Sequence, residues 1–426
     1  MSVTEGPSPP APPGGTRDAA AEPLASSAPA ALPGEGTRVL RIGFVAGESS
    51  GDQLGAALIT ALRAQAPRLE CFGMAGPKMV AAGCQAWASA DELSTMGLFE
   101  VLHQLPRLLR LRSSLVERFL QARPDVFVGI DVPDFNLGLA RRLKQHGLKT
   151  VQYVSPQVWA WRQGRVRTIG RACDLVLCLL PFETAFYEQH GVRAEFVGHP
   201  LADQIPLEVD REAARRELDC PLDATVVALL PGSRVGEVER LGSDFAAAAA
   251  WIAVTRPAIR FIAPMASERV RAVFEKCLQR LPSRPAIRLV DGQAQRVLAA
   301  ADAAIVASGT AALETLLSGR PMVVAYRLGA LTAFLLRRLG LVKVPYFSQP
   351  NLLIGRALVP ELLQEAVTGR ALGTALLHEL VDAQHVATLK SEFRRVHEVL
   401  RRGGAERAAA AILQCVRPSL ETHDSR

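Results

Sequence analysis

The sequence has few aromatic residues, no Cys-x-x-Cys pair and no apolar run long enough to cross a bilayer. Phe, Trp and Tyr make up 5 % of its 426 residues, and no Arg/Lys run is interleaved with Phe or Tyr, so the stacking platform typical of nucleic-acid binding is missing. Seven cysteines without paired spacing indicate reduced thiols in a cytoplasmic protein, and neither a metal site nor another cofactor is expected. Since ~18 consecutive apolar residues are needed to span a membrane, any membrane contact is predicted to be peripheral.

Charge and hydrophobicity narrow the class of protein further. The chain has 49 Lys+Arg against 42 Asp+Glu, a net charge of +7, which suits phosphorylated small molecules or an acidic membrane surface, with nucleic acid the weakest candidate. Its length and its 49 % hydrophobic residues are enough for two α/β domains. Residues 1–37, rich in Pro, Ala, Gly and Ser, predict a disordered leader.

Apolar runs alternate with helical patterns in two successive blocks, as in parallel α/β sheets. In the first block the predicted strands are Val39–Ala46, Val126–Ile130, Val151–Val154 and Leu175–Leu179. In the second they are Thr225–Leu230, Ile259–Ala263, Ala303–Ala307 and Met322–Tyr326. We predict two Rossmann-like doubly wound domains, residues 38–200 and 201–385, that face a central cleft. A C-terminal helix and tail, 386–426, follows, with packing back on the first domain as one option.

The second domain carries residues suited to a ribose diphosphate. Ser308, Gly309 and Thr310 precede a helical pattern, where small residues let a phosphate approach the free N–H groups of a helix. Glu314, about one turn later, is placed to reach sugar hydroxyls. Arg234 follows the first strand of this domain and is predicted to bind diphosphate oxygens and offset the charge of a departing nucleotide.

The first domain carries carboxylates at two predicted strand ends. Asp131 is our predicted general base, taking a proton from an attacking sugar hydroxyl, with Asp134 as the alternative base or a helix cap. At the first glycine turn, Glu48 and Asp52 flank Gly51 and are candidates to hold acceptor hydroxyls, and Ser49 and Gly51 are further substrate-binding candidates. A helix cap explains Ser49 and Asp52 equally well. For Asp52, in the same turn, we favour capping of a helix that begins near Leu54.

Five further residues are candidate substrate ligands. Trp161 and Arg162 follow a buried run, where an indole suits a sugar face or acyl chain and a cation suits an acceptor phosphate. His199, before Pro200 at the proposed hinge, either touches ligand or hydrogen-bonds the hinge backbone. Gln349 and Asn351 offer amides to a base or phosphate from a loop.

Two apolar-basic stretches, Met96–Leu120 and Leu331–Lys343, are typical of segments that lie on an anionic membrane. Helical periodicity alone allows the alternative of a core-facing helix with a solvated basic face. In the first stretch, Pro106 is expected to start a new helix or to kink this one.

Ten segments, in this order between about residue 40 and 365, closely resemble the lipid-A-disaccharide synthase family. They read AGESSGD, GMAGPKM, MGLFEVL, GIDVPDFN, YVSPQVWAWR, LLPFE, GHPL, LLPGSR, ASGTAALE and PNLLIGR. The resemblance implies a GT-B glycosyltransferase of family 19, inverting and metal-independent, at the cytoplasmic face of the inner membrane. It would join UDP-2,3-diacylglucosamine to 2,3-diacylglucosamine 1-phosphate (lipid X), forming a β(1→6) disaccharide and releasing UDP. A homodimer is allowed by the sequence.

Carried onto this chain, the resemblance implies that Asp131 is the base and that Glu48 is important on the acceptor side. It places Arg234 and Asn351 on the UDP side of the cleft. Two other classes stay open on the residues alone. A UDP-sugar 2-epimerase has the same two-domain architecture but no use for the apolar-basic stretch, and a non-enzymatic lipid- or nucleotide-binding protein fits the fold. A dinucleotide dehydrogenase is disfavoured because no Gly-x-Gly-x-x-Gly follows the first strand.

Overall fold

The computed structural model describes residues 39–94, 98–161, 163–329 and 345–416, with the backbone alone for residues 94, 98–104 and 161. The strands of its first sheet are β1 (Leu40–Ala46), β2 (Leu69–Ala75), β3 (Cys84–Ser89), β4 (Val126–Ile130), β5 (Lys149–Tyr153), β6 (Leu175–Cys178) and β7 (Ala194–Phe196). Those of the second sheet are β8 (Val226–Leu230), β9 (Arg260–Met265), β10 (Ile287–Asp291), β11 (Ala303–Ala307), β12 (Met322–Tyr326) and β13 (Glu361–Leu363).

Helices follow most of the strands. Those up to the second sheet are α1 (Ser49–Gln65), α2 (Pro77–Ala81), α3 (Asp91–Ser94), α4 (Leu98–Ala122), α5 (Pro133–Gln145), α6 (Val158–Trp161), α7 (Val166–Ala172), α8 (Pro181–Glu188), α9 (Pro200–Gln204) and α10 (Arg211–Glu217). The others are α11 (Val235–Thr255), α12 (Glu268–Gln279), α13 (Ala294–Ala300), α14 (Thr310–Leu317), α15 (Gln349–Ile354), α16 (Gly369–Val381), α17 (Ala383–Leu400) and α18 (Gly404–Val416). Gln163–Arg165 and Gln364–Ala366 are 3₁₀ turns.

Both sheets are parallel and share one strand order. The first runs β3-β2-β1-β4-β5-β6-β7 and the second β10-β9-β8-β11-β12-β13. The order reverses between β1 and β4 in one sheet and between β8 and β11 in the other, and ligands of such sheets bind beyond the strand ends at this reversal. The predicted fold of two Rossmann-like sheets is confirmed.

Hydrophobic burial explains why these segments form the sheet centres. All five residues of β4, β8 and β11 are buried, as expected of strands covered by helices on both faces. Strands at the sheet edges are more polar and less buried, with partly exposed residues throughout β7 and β13. The apolar core therefore lies at the centre of each sheet and fixes the positions of the loops after β1, β4, β8 and β11.

The C-terminal helices of the chain pack against both hydrophobic cores. Leu389 and Phe393 of α17 pack in a core cluster around the second sheet, whereas Ala408 and Ile412 of α18 pack in a cluster with β1 and α1 of the first. Between these helices the carbonyl of Leu400 accepts a hydrogen bond of 2.9 Å from the backbone N–H of His199. The two passages of the chain between the sheets are thus bonded to each other.

Helix α4 is continuous through Pro106, so the expected alternative of a new helix that starts there was wrong. Leu115 and Phe119 are buried in the first core, but Leu105 and Leu109 are 45 % and 43 % exposed. Among the described side chains of the predicted membrane segment, those of its C-terminal half therefore include buried core residues, and the two exposed leucines lie closer to its N-terminal end. The second such stretch, 331–343, lies outside the described residues. In the part of the chain that is described, no helix combines the length and hydrophobicity needed to cross a bilayer.

Candidate active site

A cleft of about 690 Å³ opens at the carboxyl end of the second sheet. It is bounded by the ends of β8, β9, β11 and β12 and by the starts of α11, α13 and α14. Five of the predicted substrate ligands line it, namely Arg234, Ser308, Gly309, Thr310 and Glu314. Gln157, which follows β5 of the first sheet, also reaches the cleft. Arg234 and Ser308 are 74 positions apart in the sequence, and they are brought together because β8 and β11 are neighbouring parallel strands.

The start of α14 is open to the cleft. Gly309 precedes the helix with a φ of +147°, a conformation that favours glycine, and the structure gives this end no side-chain cap within the described residues. Because the first N–H groups of a helix lack partners inside it and carry the positive end of the dipole, this end can bind an anion. It lies directly beside the turn that carries Arg234.

Arg234 extends into solvent from the turn after β8. Its side chain is 79 % exposed, and its Nη1 lies 4.0 Å from Oε1 of Glu237. The carboxylate of Glu237 also accepts hydrogen bonds from the backbone N–H groups of Ser233, at 3.0 Å, and Arg234, at 3.3 Å. The guanidinium is thus free to move toward a ligand, while the backbone at the start of α11 is occupied.

Glu314 lies one turn inside α14. Burial raises the pKa of its carboxyl, an effect partly offset by a hydrogen bond with Gln295. Two further lining residues, Gln293 and Tyr326, were missed from the sequence. Tyr326 ends β12, a strand that was predicted, so its position could have suggested it. Gln293 follows β10, a strand that was not predicted, so nothing in the sequence indicated that Gln293 lies at the cleft.

The hydroxyl of Ser308 and the amide of Asn351 are hydrogen-bonded to other groups of the protein. Ser308 Oγ donates to the carbonyl of Phe347 at 3.0 Å. Asn351 is 1 % exposed, donates from Nδ2 to Val359 O and Glu361 Oε1, and accepts at Oδ1 from the backbone N–H groups of residues 358 and 359. Its side chain is saturated by protein partners, so the structure places it in the loop framework and not on the cleft.

Gln349 and its neighbours form the same loop. The carboxylate of Glu361 accepts from the backbone N–H groups of Phe347 and Ser348 and from Ser348 Oγ. Gln349 begins α15, and its Oε1 is buried with no hydrogen-bond partner in the portion of the chain described. Neither Gln349 nor Asn351 is among the residues that line the cleft.

Asp131 stands at the end of β4, at the strand-order reversal of the first sheet. It and Val132 adopt positive φ angles of +55° and +37°, which are costly for non-glycine residues and persist only where surrounding contacts enforce them. Two buried amides supply those contacts, since Asn136 Nδ2 and Gln152 Nε2 donate to the Asp131 carbonyl at 2.8 and 3.1 Å. The carboxylate accepts one bond from the N–H of Val132 at 3.0 Å and is partly exposed.

Asp134 has a different environment from Asp131. Its side chain is 81 % exposed and forms an ion pair with Arg165. It lies in the first turn of α5, whose N-cap residue is Val132, so the alternative of Asp134 as the helix cap is not what the structure shows. The two carboxylates therefore differ in their partners, since a guanidinium pairs with Asp134 whereas a backbone N–H donates to Asp131.

Glu48, Ser49 and Gly51 lie at the end of β1, the strand that pairs with β4. Glu48 is exposed and precedes α1, which begins at Ser49 and not near Leu54, and its side chain makes no cap hydrogen bond. Gly51 packs over the carbonyl of Ile130, 3.6 Å from the position a Cβ would take. Glu48 and Asp131 thus follow the ends of two paired strands of the first sheet.

Asp52 is buried and caps α2, not the helix that contains it. Its two carboxylate oxygens accept from the backbone N–H groups of Lys78 and Met79 at 2.9 Å. The favoured interpretation of Asp52 as a cap of its own helix was therefore wrong, because α1 had already begun three residues earlier.

His199 makes the backbone hydrogen bond that was one of its two alternatives. Its Nδ1 accepts from the backbone N–H of Leu201 at 3.2 Å, and burial lowers the pKa of the imidazole to about 4, with Asp203 acting in the opposite direction. The ring is therefore neutral at pH 7 and tied to the hinge backbone. Arg162 and the side chain of Trp161 lie outside the described residues.

A tryptophan two residues before Trp161 is anchored by a buried carboxyl group. Trp159 Nε1 donates to Glu183 Oε1 at 3.1 Å, and Glu183 also accepts from the backbone N–H of Leu180. Burial raises the pKa of Glu183 to about 7 despite these hydrogen bonds. The segment that carries Gln157 is thus fastened to α8.

Among the residues described, no group of three or more His, Cys, Asp and Glu side chains is arranged to hold a metal ion. Solved structures with the same architecture include the glycotransferase of kitacinnamycin, with a TM-score of 0.59 at 18 % identity, covering 89 % of this chain and 100 % of that one. UDP-GlcNAc 2-epimerase from Neisseria meningitidis, bound to UDP-GlcNAc, also has a TM-score of 0.59, at 11 % identity, covering 88 % and 99 %. At such identities the likeness concerns the fold, and it confirms the GT-B type predicted.

Sequence relatives are much closer. The family model described as Lipid-A-disaccharide synthetase matches residues 42–415. The chain is 53 % identical to lipid-A-disaccharide synthase of Pseudomonas paraeruginosa over 377 residues, 88 % of this chain and 98 % of the relative. It is 49 % identical to that of Yersinia pestis, again over 377 residues, 88 % and 95 % of the two chains. The chain belongs to the lipid-A-disaccharide synthase family.

Proposed function

We propose that the chain joins UDP-2,3-diacylglucosamine to 2,3-diacylglucosamine 1-phosphate, giving the β(1→6) lipid A disaccharide 1-phosphate and UDP. The observation that carries this proposal is identity of about half over nearly the full length of relatives named lipid-A-disaccharide synthase. An open helix end in the cleft of the second sheet is compatible with that chemistry, as is the strand-end carboxylate of Asp131 on the first sheet, which lies outside the residues that line this cleft.

The donor is proposed to bind the second sheet. Its diphosphate would lie between Arg234 and the open start of α14, and Glu314 would accept hydrogen bonds from the ribose hydroxyls. What supports this arrangement is that these residues line one cleft and that α14 starts without a side-chain cap in the described region. Ser308 contributes its backbone position, because its hydroxyl is bonded to Phe347.

Asp131 is proposed to activate the acceptor. Its carboxylate would take the proton from the 6-hydroxyl as that oxygen attacks the anomeric carbon of the donor. The bond between the anomeric carbon and the diphosphate oxygen breaks on the opposite face, and UDP leaves with the electron pair. Arg234 and the α14 dipole would stabilise the charge that develops on the diphosphate, while Glu48 would orient the acceptor.

We also propose that the first domain ends at residue 200 and that the second begins at residue 201. The chain is further proposed to bind peripherally to the cytoplasmic face of the inner membrane. Leu105 and Leu109 support the membrane contact, because they are exposed on a helix that also carries Arg107 and Arg110. Co-sedimentation with anionic vesicles measures it. Replacing both leucines by serine should reduce the bound fraction, and unchanged binding would remove these two residues from the proposal.

Transfer of labelled sugar from the donor to 2,3-diacylglucosamine 1-phosphate by the purified protein tests the reaction. UDP release should require the acceptor, with one UDP formed for each disaccharide. UDP release at the same rate without the acceptor would instead favour the UDP-sugar 2-epimerase alternative. Binding of both lipids without turnover would favour a binding protein.

A further inference from the structure

Three helix starts, those of α11, α13 and α14, face the same cleft, and within the described residues only the start of α11 has its N–H groups occupied by a side chain. At α14 no side-chain cap is present within the described residues. At α11 the helix supplies its own anion, because Glu237 Oε2 accepts from the N–H groups of Ser233 and Arg234 at 3.0 and 3.3 Å. These N–H groups are of the kind that bind a phosphate at the end of a parallel strand.

The turn before α11 is shaped around this carboxylate. Gly232 has a φ of +137°, and a Cβ at this position would lie 2.5 Å from Cβ and 2.8 Å from Oε2 of Glu237. Glycine therefore leaves room for the carboxylate to fold back over the backbone. Glu237 lines the cleft and is 31 % exposed, so its charge acts on the space where a ligand would lie.

The charged and titratable groups around Glu237 leave its charge only partly balanced. Arg234 Nη1 is 4.0 Å from Oε1, which is the limit of an ion pair. Arg240, one turn later, donates from its Nε to the carbonyl of Arg327. Tyr326 ends the strand on the other side of the cleft, and Glu237 and Arg240 act in opposite directions on the pKa of its phenol, which burial raises.

We propose that Glu237 is a built-in competitor of the nucleotide diphosphate that speeds the departure of UDP. This inference rests on the proposed function. Its carboxylate occupies the N–H groups at the start of α11, attracts the same Arg234 and repels the phosphates. The repulsion is larger for UDP than for the UDP-sugar, because cleavage of the sugar leaves a terminal phosphate with an additional ionisation near pH 6. Glu237 thereby favours exchange of product for donor.

Glu237→Gln tests the charge alone, since the amide oxygen can still accept from the two N–H groups. UDP should bind roughly five- to tenfold more tightly, as expected for removal of one nearby like charge from a partly solvated site. Binding of the UDP-diacylglucosamine donor, measured without acceptor, should tighten less, by about three- to fivefold, because its diphosphate carries about two of the three negative charges of UDP. Product inhibition by UDP should increase in parallel.

Glu239→Gln is the matched control, because it removes the same charge from an exposed position on the same helix. Its UDP affinity should equal that of the unmodified chain. Thermal melting checks that both variants are folded. If Glu237→Gln does not fold, Glu237→Ala replaces it and should also bind UDP more tightly.

The direction of the change in UDP affinity distinguishes this proposal from a purely structural role of Glu237. Loss of a helix cap would loosen the turn and weaken UDP binding, so unchanged or weaker binding by a folded Glu237 variant overturns the inference. The proposed function is judged separately on the unmodified chain, by acceptor-dependent UDP release and by UDP binding in calorimetry. A chain that transfers sugar normally while its Glu237 variant binds UDP no more tightly refutes the inference alone.

Discussion

The side-chain amide of Asn136 donates a 2.8 Å hydrogen bond to the carbonyl oxygen of Asp131. Asn136 is fully buried, and Gln152, also buried, donates to the same carbonyl. Two amides in the core of the first sheet thus hold the strained backbone of Asp131 and Val132, at a cost on the order of 1–3 kcal/mol for each strained residue. The enforced backbone conformation sets where the Asp131 side chain leaves the end of the buried strand, and the N–H of Val132 donates to its carboxylate.

Asp131→Asn should abolish most of the turnover while leaving donor binding intact. Asparagine tolerates the left-handed backbone conformation but cannot accept a proton, so kcat should fall by roughly 10²- to 10⁴-fold. Steady-state kinetics and UDP titration measure the two effects. As the control, Asp134→Asn should retain turnover within about threefold, because general-base catalysis is not expected of a solvated, ion-paired carboxylate. The reverse pattern would make Asp134 the base.

Arg234→Gln should weaken donor and UDP binding without destabilising the fold. Charge-assisted bonds to a diphosphate contribute about 1.5–3 kcal/mol, so we expect KM for the donor to rise roughly 10- to 100-fold. The melting temperature should be unchanged because the side chain is mostly exposed. Arg256→Gln, at the opposite end of α11, is the charge-matched control. Equal donor KM values for the two variants would contradict the role given to Arg234.

Asn351→Ala should reduce stability more than it affects nucleotide contacts. It leaves the backbone N–H groups of Leu358 and Val359 without their acceptor, and each unsatisfied buried group costs about 1–3 kcal/mol. Denaturant unfolding should show a loss of about 2–6 kcal/mol on that basis. A stable Asn351→Ala variant whose UDP affinity is strongly reduced would restore the prediction of a direct UDP ligand.

The hinge should lose stability in acid through His199. Because the folded-state pKa of about 4 lies below the ordinary value of 6.5, the stability from the neutral ring is present above pH 6.5. It is lost as the pH falls from about 6.5 to 4, by on the order of 3 kcal/mol. In His199→Asn, whose Oδ1 can replace Nδ1 as acceptor, this part of the pH dependence should disappear. His146→Asn, at an exposed position, should leave it unchanged.

The contribution of Glu183 to the pH dependence of stability should have the opposite sign to that of His199. Its folded-state pKa of about 7 lies above the ordinary value of 4.5, so the stability from the neutral carboxyl is present below pH 4.5 and is lost as the pH rises through 7. Relative to the unmodified chain, Glu183→Gln should gain on the order of 3 kcal/mol between pH 4.5 and pH 8. Denaturant unfolding at both pH values checks this, with the exposed Glu188→Gln as control. A difference that does not change with pH would show that Glu183 titrates normally.

How far the sequence predicts the sheets depends on the position of each strand. The predicted runs include β4, β11 and β12 with their observed ends, because central parallel strands are buried on both faces and read as continuous apolar segments. All four edge strands, β3, β7, β10 and β13, were missed, and so was β2, an inner strand of the first sheet. An edge strand is covered less completely, so polar residues such as Glu195 and Arg288 interrupt it.

Whether a site residue could be predicted also depends on the strand that it follows. Arg234 and Ser308–Thr310 could be paired from the sequence, because each directly follows a recognisable central strand and the strand order places those ends side by side. Asn351 and Asp52 could not be assigned in this way. Their partners, such as Glu361 and Lys78, lie on elements without a strong periodic signal, and a saturated amide looks the same in sequence as one that binds a ligand.

The sequence by itself determined the family, the two parallel sheets and the strand ends at which chemistry is expected, because buried strands and short motifs are local properties of the chain. Only the tertiary structure decided which polar side chains remain available to a substrate. Availability depends on whether distant backbone groups already occupy a side chain, as they do for His199 and Asn351, or leave it exposed, as for Arg234. That outcome is set by packing across the whole fold, which no segment of the sequence contains.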